Sequence, residues 1–125
     1  MEYTYRPMSI DDYDGMYYVD GFMIFIHYGS HFLLPGAIAC IFFRREWKKA
    51  WLIMVCTMMI DLDHLLATPV FDPNRCGINF HILHTYYAAI AYAGLLFFSK
   101  TRIVGIGLVL HILTDFQDCL WMKGL

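Results

Sequence analysis

Apolar residues gather along the chain in four runs, roughly Phe22 to Phe43, Trp47 to Ala67, Ile82 to Phe98 and Ile103 to Trp121. Each is near the ~17–25 residues that a membrane-spanning helix needs, and short connections separate them. The pattern predicts an all-α fold, a four-transmembrane-helix bundle with short loops over residues 22–122. Residues 1–21 are polar, Tyr-rich and acidic, with Glu2, Asp11, Asp12, Asp14 and Asp20 against Arg6, which predicts a disordered tail. Met23 is an alternative translation start, since every diagnostic residue follows it. No run has the layout of a removable signal peptide, so the first helix is expected to stay in the mature protein.

Pro35 falls inside the first run and is expected to kink that helix without ending it, freeing the carbonyl of His31. Ala88, Ala89, Ala91, Ala93 and Gly94 on the third helix, with Gly105 and Gly107 on the fourth, let helices approach closely. Thr68 to Arg75 is rich in turn formers and reads as an irregular loop over one face.

Composition points to the same solvent. Of 125 residues, 59% are hydrophobic and 16% charged, too apolar for an ordinary soluble domain of this length. With a net charge of −2 and no basic stripe, the chain carries no footprint of a nucleic-acid partner. The expected partner is the lipid bilayer; oligomeric state is left open. Arg44, Arg45, Lys48 and Lys49 in the first connection and Lys100 and Arg102 in the third outnumber Arg75 in the second. The first and third connections are therefore expected on the cytoplasmic side, with both termini and the second connection outside. Trp47 and Trp51 at one boundary and Trp121 at the other fit interface anchors. Cys40 and Cys56 read as packing residues within helices. Cys76 and Cys119 reach one membrane surface, where a bridge and a pair of free thiols both fit.

The ionisable residues carry the chemistry. His27 and His31 are four apart on the first helix; Asp61 and His64, in the run Asp61-Leu-Asp63-His64, are three apart at the end of the second. His81 and His84 open the third, and His111, Asp115 and Asp118 form one stripe on the fourth. Spacings of three and four put each set on one helix face, and the alternating helix directions bring all four sets to the outer level. An Asp at the centre of a spanning helix costs roughly 2.5–3.5 kcal/mol on insertion scales, so such groups face the bundle interior with a partner. Singly, His27 fits a hydrogen-bonded packing residue, Asp118 a solvated helix end and His81 a loop residue. Together, all six histidines fall near one face. We read His27, His31, Asp61, His64, His81, His84, His111, Asp115 and Asp118 as candidate ligands of a divalent metal, zinc first and iron or manganese as alternatives.

Asp61-Leu-Asp63-His64, then His84-Thr85, then Leu110-His111-Ile112-Leu113-Thr114-Asp115, resemble in order the motifs of the YdjM-like membrane-bound metal-dependent hydrolases. In that family a D-x-D-H is followed by T-H-S and S-H-x-x-x-D, after an early G-H that His31, preceded by Ser30, resembles. Here His81-Ile-Leu-His84-Thr replaces a longer spacing, so either histidine fits the family role. Met23 to Met122 is also similar to a short bacterial family of four-helix membrane proteins of unknown function, with the same I-H-Y-G opening and D-P-N-R-C loop. The resemblance implies a bacterial inner-membrane protein and a hydrolase.

For such an enzyme, His31, Asp61, His64, His84, His111 and Asp115 are the best ligand set, enough for one metal or a bridged pair. Asp63 is the first choice of catalytic base, and Arg75 of a residue binding substrate phosphate or carboxylate, unless it pairs with Asp72. A site at headgroup depth favours a lipid or lipid-linked ester. Two alternatives are a di-iron-type membrane oxidoreductase, whose clusters are richer in His, and a non-enzymatic metal carrier, which needs polar residues continuing to the cytoplasmic side.

Overall fold

The structure is a computed structural model that describes the backbone of residues 10–70 and 75–122 and the side chains of 21–70 and 75–121. In chain order the elements are α1 (Ile10–Phe42), α2 (Trp47–Cys56), a 3₁₀ helix Thr57–Leu66, a 3₁₀ turn Ile82–His84, α3 (Tyr86–Gly94), a 3₁₀ turn Leu95–Phe97 and α4 (Arg102–Met122). Among the described residues there is no strand, and the all-α expectation of four helices is met.

α1 extends back through residues 10–21. Pro35 lies inside it without ending it. In the turn that Pro35 loosens, the carbonyl of Phe32 accepts a hydrogen bond from the Trp51 indole at 2.9 Å. Trp51 thus bridges α2 to α1, lying 3.5 Å from where a Cβ on Gly36 would stand.

The second run is one α-helix in expectation and two helices in fact. At Thr57, whose hydroxyl donates to the Met54 carbonyl at 2.6 Å, α2 tightens into the 3₁₀ helix. In that helix, residues three apart eclipse and neighbours two apart diverge by about 120° rather than the ~160° of an α-helix. Asp61 and His64 therefore share a line, while Asp63 turns inward beside them and is buried. The third run also starts later than expected. Thr85 is extended and caps α3, its side chain accepting the amide of Ala88. His81 and His84 accordingly precede α3 instead of opening it.

α4 is the hub, packing against α1, α2 and α3. Gly107 permits the closest approach: a Cβ there would meet the Met54 Cα and the Thr57 hydroxyl, each at 2.8 Å. Ala39, Ala50 and Met54, flanked by Phe43, Ile103 and Ile106, form an apolar core toward the end carrying the first and third connections. Among the described residues, Gly21–Phe42 and Arg102–Trp121 are the two stretches long and apolar enough to cross a membrane; Tyr86–Phe97 is apolar but shorter. Cys76 and Cys119 form a disulfide, with Cα atoms 5.0 Å apart. Cys40 and Cys56 are free and exposed on the helix surfaces, not packing residues.

Candidate metal centre

At the end opposite the apolar core, three elements deliver four ligand atoms to one point. The 3₁₀ helix brings Asp61, the turn before α3 brings His84, and α4 brings His111 and Asp115, one helical turn apart. His84 Nε2 lies 3.3 Å from Asp61 Oδ1, 3.1 Å from Asp115 Oδ2 and 3.3 Å from His111 Nε2. His111 Nε2 lies 3.1 Å from Asp61 Oδ1 and 3.3 Å from Asp115 Oδ2. Adjacent ligand atoms around a cation with ~2.0–2.1 Å bonds stand about 2.9–3.4 Å apart, from octahedral to tetrahedral arrangement. The spacing suits a cation at the centre.

Asp63 fixes the chemistry of His84. Its Oδ2 accepts the Leu83 amide at 2.8 Å and faces His84 Nδ1 at 3.1 Å. A carboxylate only accepts, so Nδ1 carries a ring proton, and Nε2 of the neutral ring then presents its lone pair toward two carboxylate oxygens. Three such acceptors meeting beside the buried His84 ring fit a cation between them, which is the fit of these residues to a metal. The Asp63–His84 pair has the form of the carboxylate–histidine couple that orients ligating imidazoles. Both Asp63 oxygens are engaged, since Oδ1 lies 3.1 Å from His64 Nδ1. That burial and bonding suit an orienting residue better than the free base expected of Asp63.

The loop before α3 is knitted so that His84 arrives in place. Asn79, in the left-handed region at φ 62°, donates its amide to the His84 carbonyl and accepts the Tyr86 amide on its side chain, each at 3.0 Å. The Tyr92 hydroxyl donates to the Leu83 carbonyl at 3.0 Å. Asn79 and Tyr92 are absent from the sequence-based candidates; an Asn two residues after Gly77 is the one signal that marks such a turn. The Cys76–Cys119 bridge ties this loop to the end of α4.

The other candidates lie around this point. His31 Nε2 is 3.4 Å from Asp115 Oδ1, and His27 pairs with Asp118 through Nδ1. His27, His31 and Asp115 form a second group with metal-ligand spacing, and Asp63, His64 and His84 a third. His81 belongs to none of the three; its buried ring stacks on His64 with centroids 3.8 Å apart. Asp118 likewise stands outside them, held to His27. Arg75 donates to the carbonyls of Pro69 and Val70 at 2.8 and 3.2 Å and stacks over Phe80, so it ties the loop down. Asp72, its expected partner, lies outside the described residues.

No curated protein and no solved structure matches the chain. Residues 22–122, the span holding every one of these side chains, match a family of unknown function, DUF6122, and the chain belongs to that family.

Proposed function

We propose that the chain is an integral membrane protein that holds a divalent cation on Asp61, His84, His111 and Asp115 and hydrolyses a lipid or lipid-linked ester at headgroup depth. The observation that carries the reading is the convergence of those four ligand atoms at 3.1–3.3 Å spacings. Two imidazoles and two carboxylates without a thiolate suit zinc first, then iron or manganese.

Burial supports the bilayer as solvent. Phe25, Leu33, Phe42, Leu66, Ile90 and Phe97 are exposed, whereas His31, Asp63, His81, His84, His111 and Thr114 are buried. In water this reverses the usual order; in lipid it is the ordinary one. The 3₁₀ stretch also lengthens the second helix. Ten residues at about 1.5 Å and ten at about 2.0 Å give roughly 35 Å, enough for a hydrocarbon core of ~30 Å.

A divalent cation here supplies Lewis-acid polarisation of an ester oxygen and a hydrolytic water acidified toward neutral pH. Asp61 marks the entrance, with its side chain 40% exposed. His64 stands beside it, its ring partly exposed and its Nδ1 edge held by Asp63 and by the Asp61 carbonyl, each at 3.1 Å. The space among His31, Pro35, Met54, Leu110 and His111 has no room for a water molecule, which counts against an ion pathway through it. The hydrolase assignment draws on the motif resemblance and the lipid substrate on the depth of the site.

The test is metal analysis of detergent-purified protein beside a His84→Ala/His111→Ala variant, with release of fatty acid or phosphate from mixed-lipid vesicles as the activity. Wild type is expected to retain zinc, iron or manganese and to lose its activity with chelator. Equal, near-zero metal in both proteins overturns the site. Metal without hydrolysis of any lipid ester overturns the enzyme reading alone.

A further inference from the structure

We infer that the centre is dinuclear, with the Asp115 carboxylate bridging to a second divalent cation held by His27 and His31 of α1. This rests on the first cation site, with which it shares Asp115.

Asp115 is addressed from two sides. Its Oδ2 faces His84 and His111 at 3.1 and 3.3 Å, while its Oδ1 faces His31 at 3.4 Å. A carboxylate whose oxygens serve different ligand sets is a ready bridge, and cations in two-metal sites stand about 3.5–4 Å apart. One ligand atom each from His27, His31 and Asp115 falls within 4.8 Å of the others, close enough for a bound cation to draw them together.

The independent observation is His31 itself. His31 is 4% exposed and its Nε2 has no hydrogen-bond partner, although Asp115 Oδ1 stands 3.4 Å away. An unpaired buried ring nitrogen costs free energy that a bound cation removes. His27 and His31 rings meet edge-on with centroids 4.4 Å apart, and Asp118 holds His27 through Nδ1, as orienting carboxylates hold ligating histidines.

The protein is purified in detergent, stripped with chelator and loaded with Mn(II). Bound equivalents are counted and the low-temperature EPR spectrum is read, with the count repeated for Zn(II). Wild type is expected to bind two equivalents and to show an exchange-coupled spectrum. His31→Ala is expected to bind one, with the six-line spectrum of an isolated ion, and His31→Gln to behave alike if its fold is kept. One equivalent in wild type, uncoupled and unchanged in His31→Ala, overturns the second subsite and leaves the first standing. Two equivalents without coupling place the second ion elsewhere and overturn the bridge. No binding of either ion overturns both readings.

Discussion

His84 is wholly buried, and the direction of its lone pair depends on Asp63. Asp63→Asn keeps the shape but replaces an acceptor with an amide that presents N–H, which weakens the hold on the Nδ1 proton. Metal affinity is expected to fall about 10–100-fold, the usual cost of losing such a partner, while the ligands stay in place. Chelator competition measures it, and an affinity equal to wild type contradicts the role. The sequence marks Asp63 as part of the site through the D-x-D-H run, but not what it does. Spacing along a helix says which face a side chain occupies; it does not say which oxygen meets which nitrogen. Arg75 shows the same gap: a lone cation in an outer loop suits an anion, and only the fold shows its donors spent on the carbonyls of Pro69 and Val70.

At the scale of elements, Gly107 decides whether α2 and α4 meet. The Cβ of any other residue would fall 2.8 Å from the Met54 backbone, so the helices must part or shift. Gly107→Ala is expected to destabilise the protein by about 1–3 kcal/mol and Gly107→Val by more, as overpacking does. Because the contact sits at the start of the 3₁₀ helix that positions Asp61 and Asp63, metal retention should fall with thermal stability. Loss of stability with metal fully retained separates the two. The sequence shows Gly107 as a small packing residue but conceals the 3₁₀ helix beside it, since ten mostly apolar residues look alike at periods of 3.0 and 3.6. The late start of α3 escaped the apolar pattern, which runs on from Ile82; the Thr85 cap is what leaves His84 outside the helix and beside α4.

For the whole molecule, the order of the four ligand sets and their convergence at one end are readable from helix spacing and alternating direction, because neither depends on where each helix begins. Two features then bear independently on which side of a membrane that end faces. The basic residues Arg44, Arg45 and Lys100 in the connections, and Lys48, Lys49 and Arg102 in the helix turns beside them, lie at the other end, which the positive-inside rule puts in the cytoplasm. The Cys76–Cys119 bridge lies at the metal end, and disulfides persist in oxidising compartments. On the membrane reading proposed above, both would orient the metal centre outward. In a Cys40→Ala/Cys56→Ala background, Lys100→Cys should react with a membrane-impermeant maleimide only after the cells are permeabilised. Cys76 and Cys119, alkylated in denatured whole cells, should react only after reduction. Labelling of Lys100→Cys in intact cells, or free thiols at positions 76 and 119, would turn the molecule over and move the site to the cytoplasmic leaflet. The ligand geometry would survive that reversal; the substrate would not, because it would have to come from lipids of the inner face.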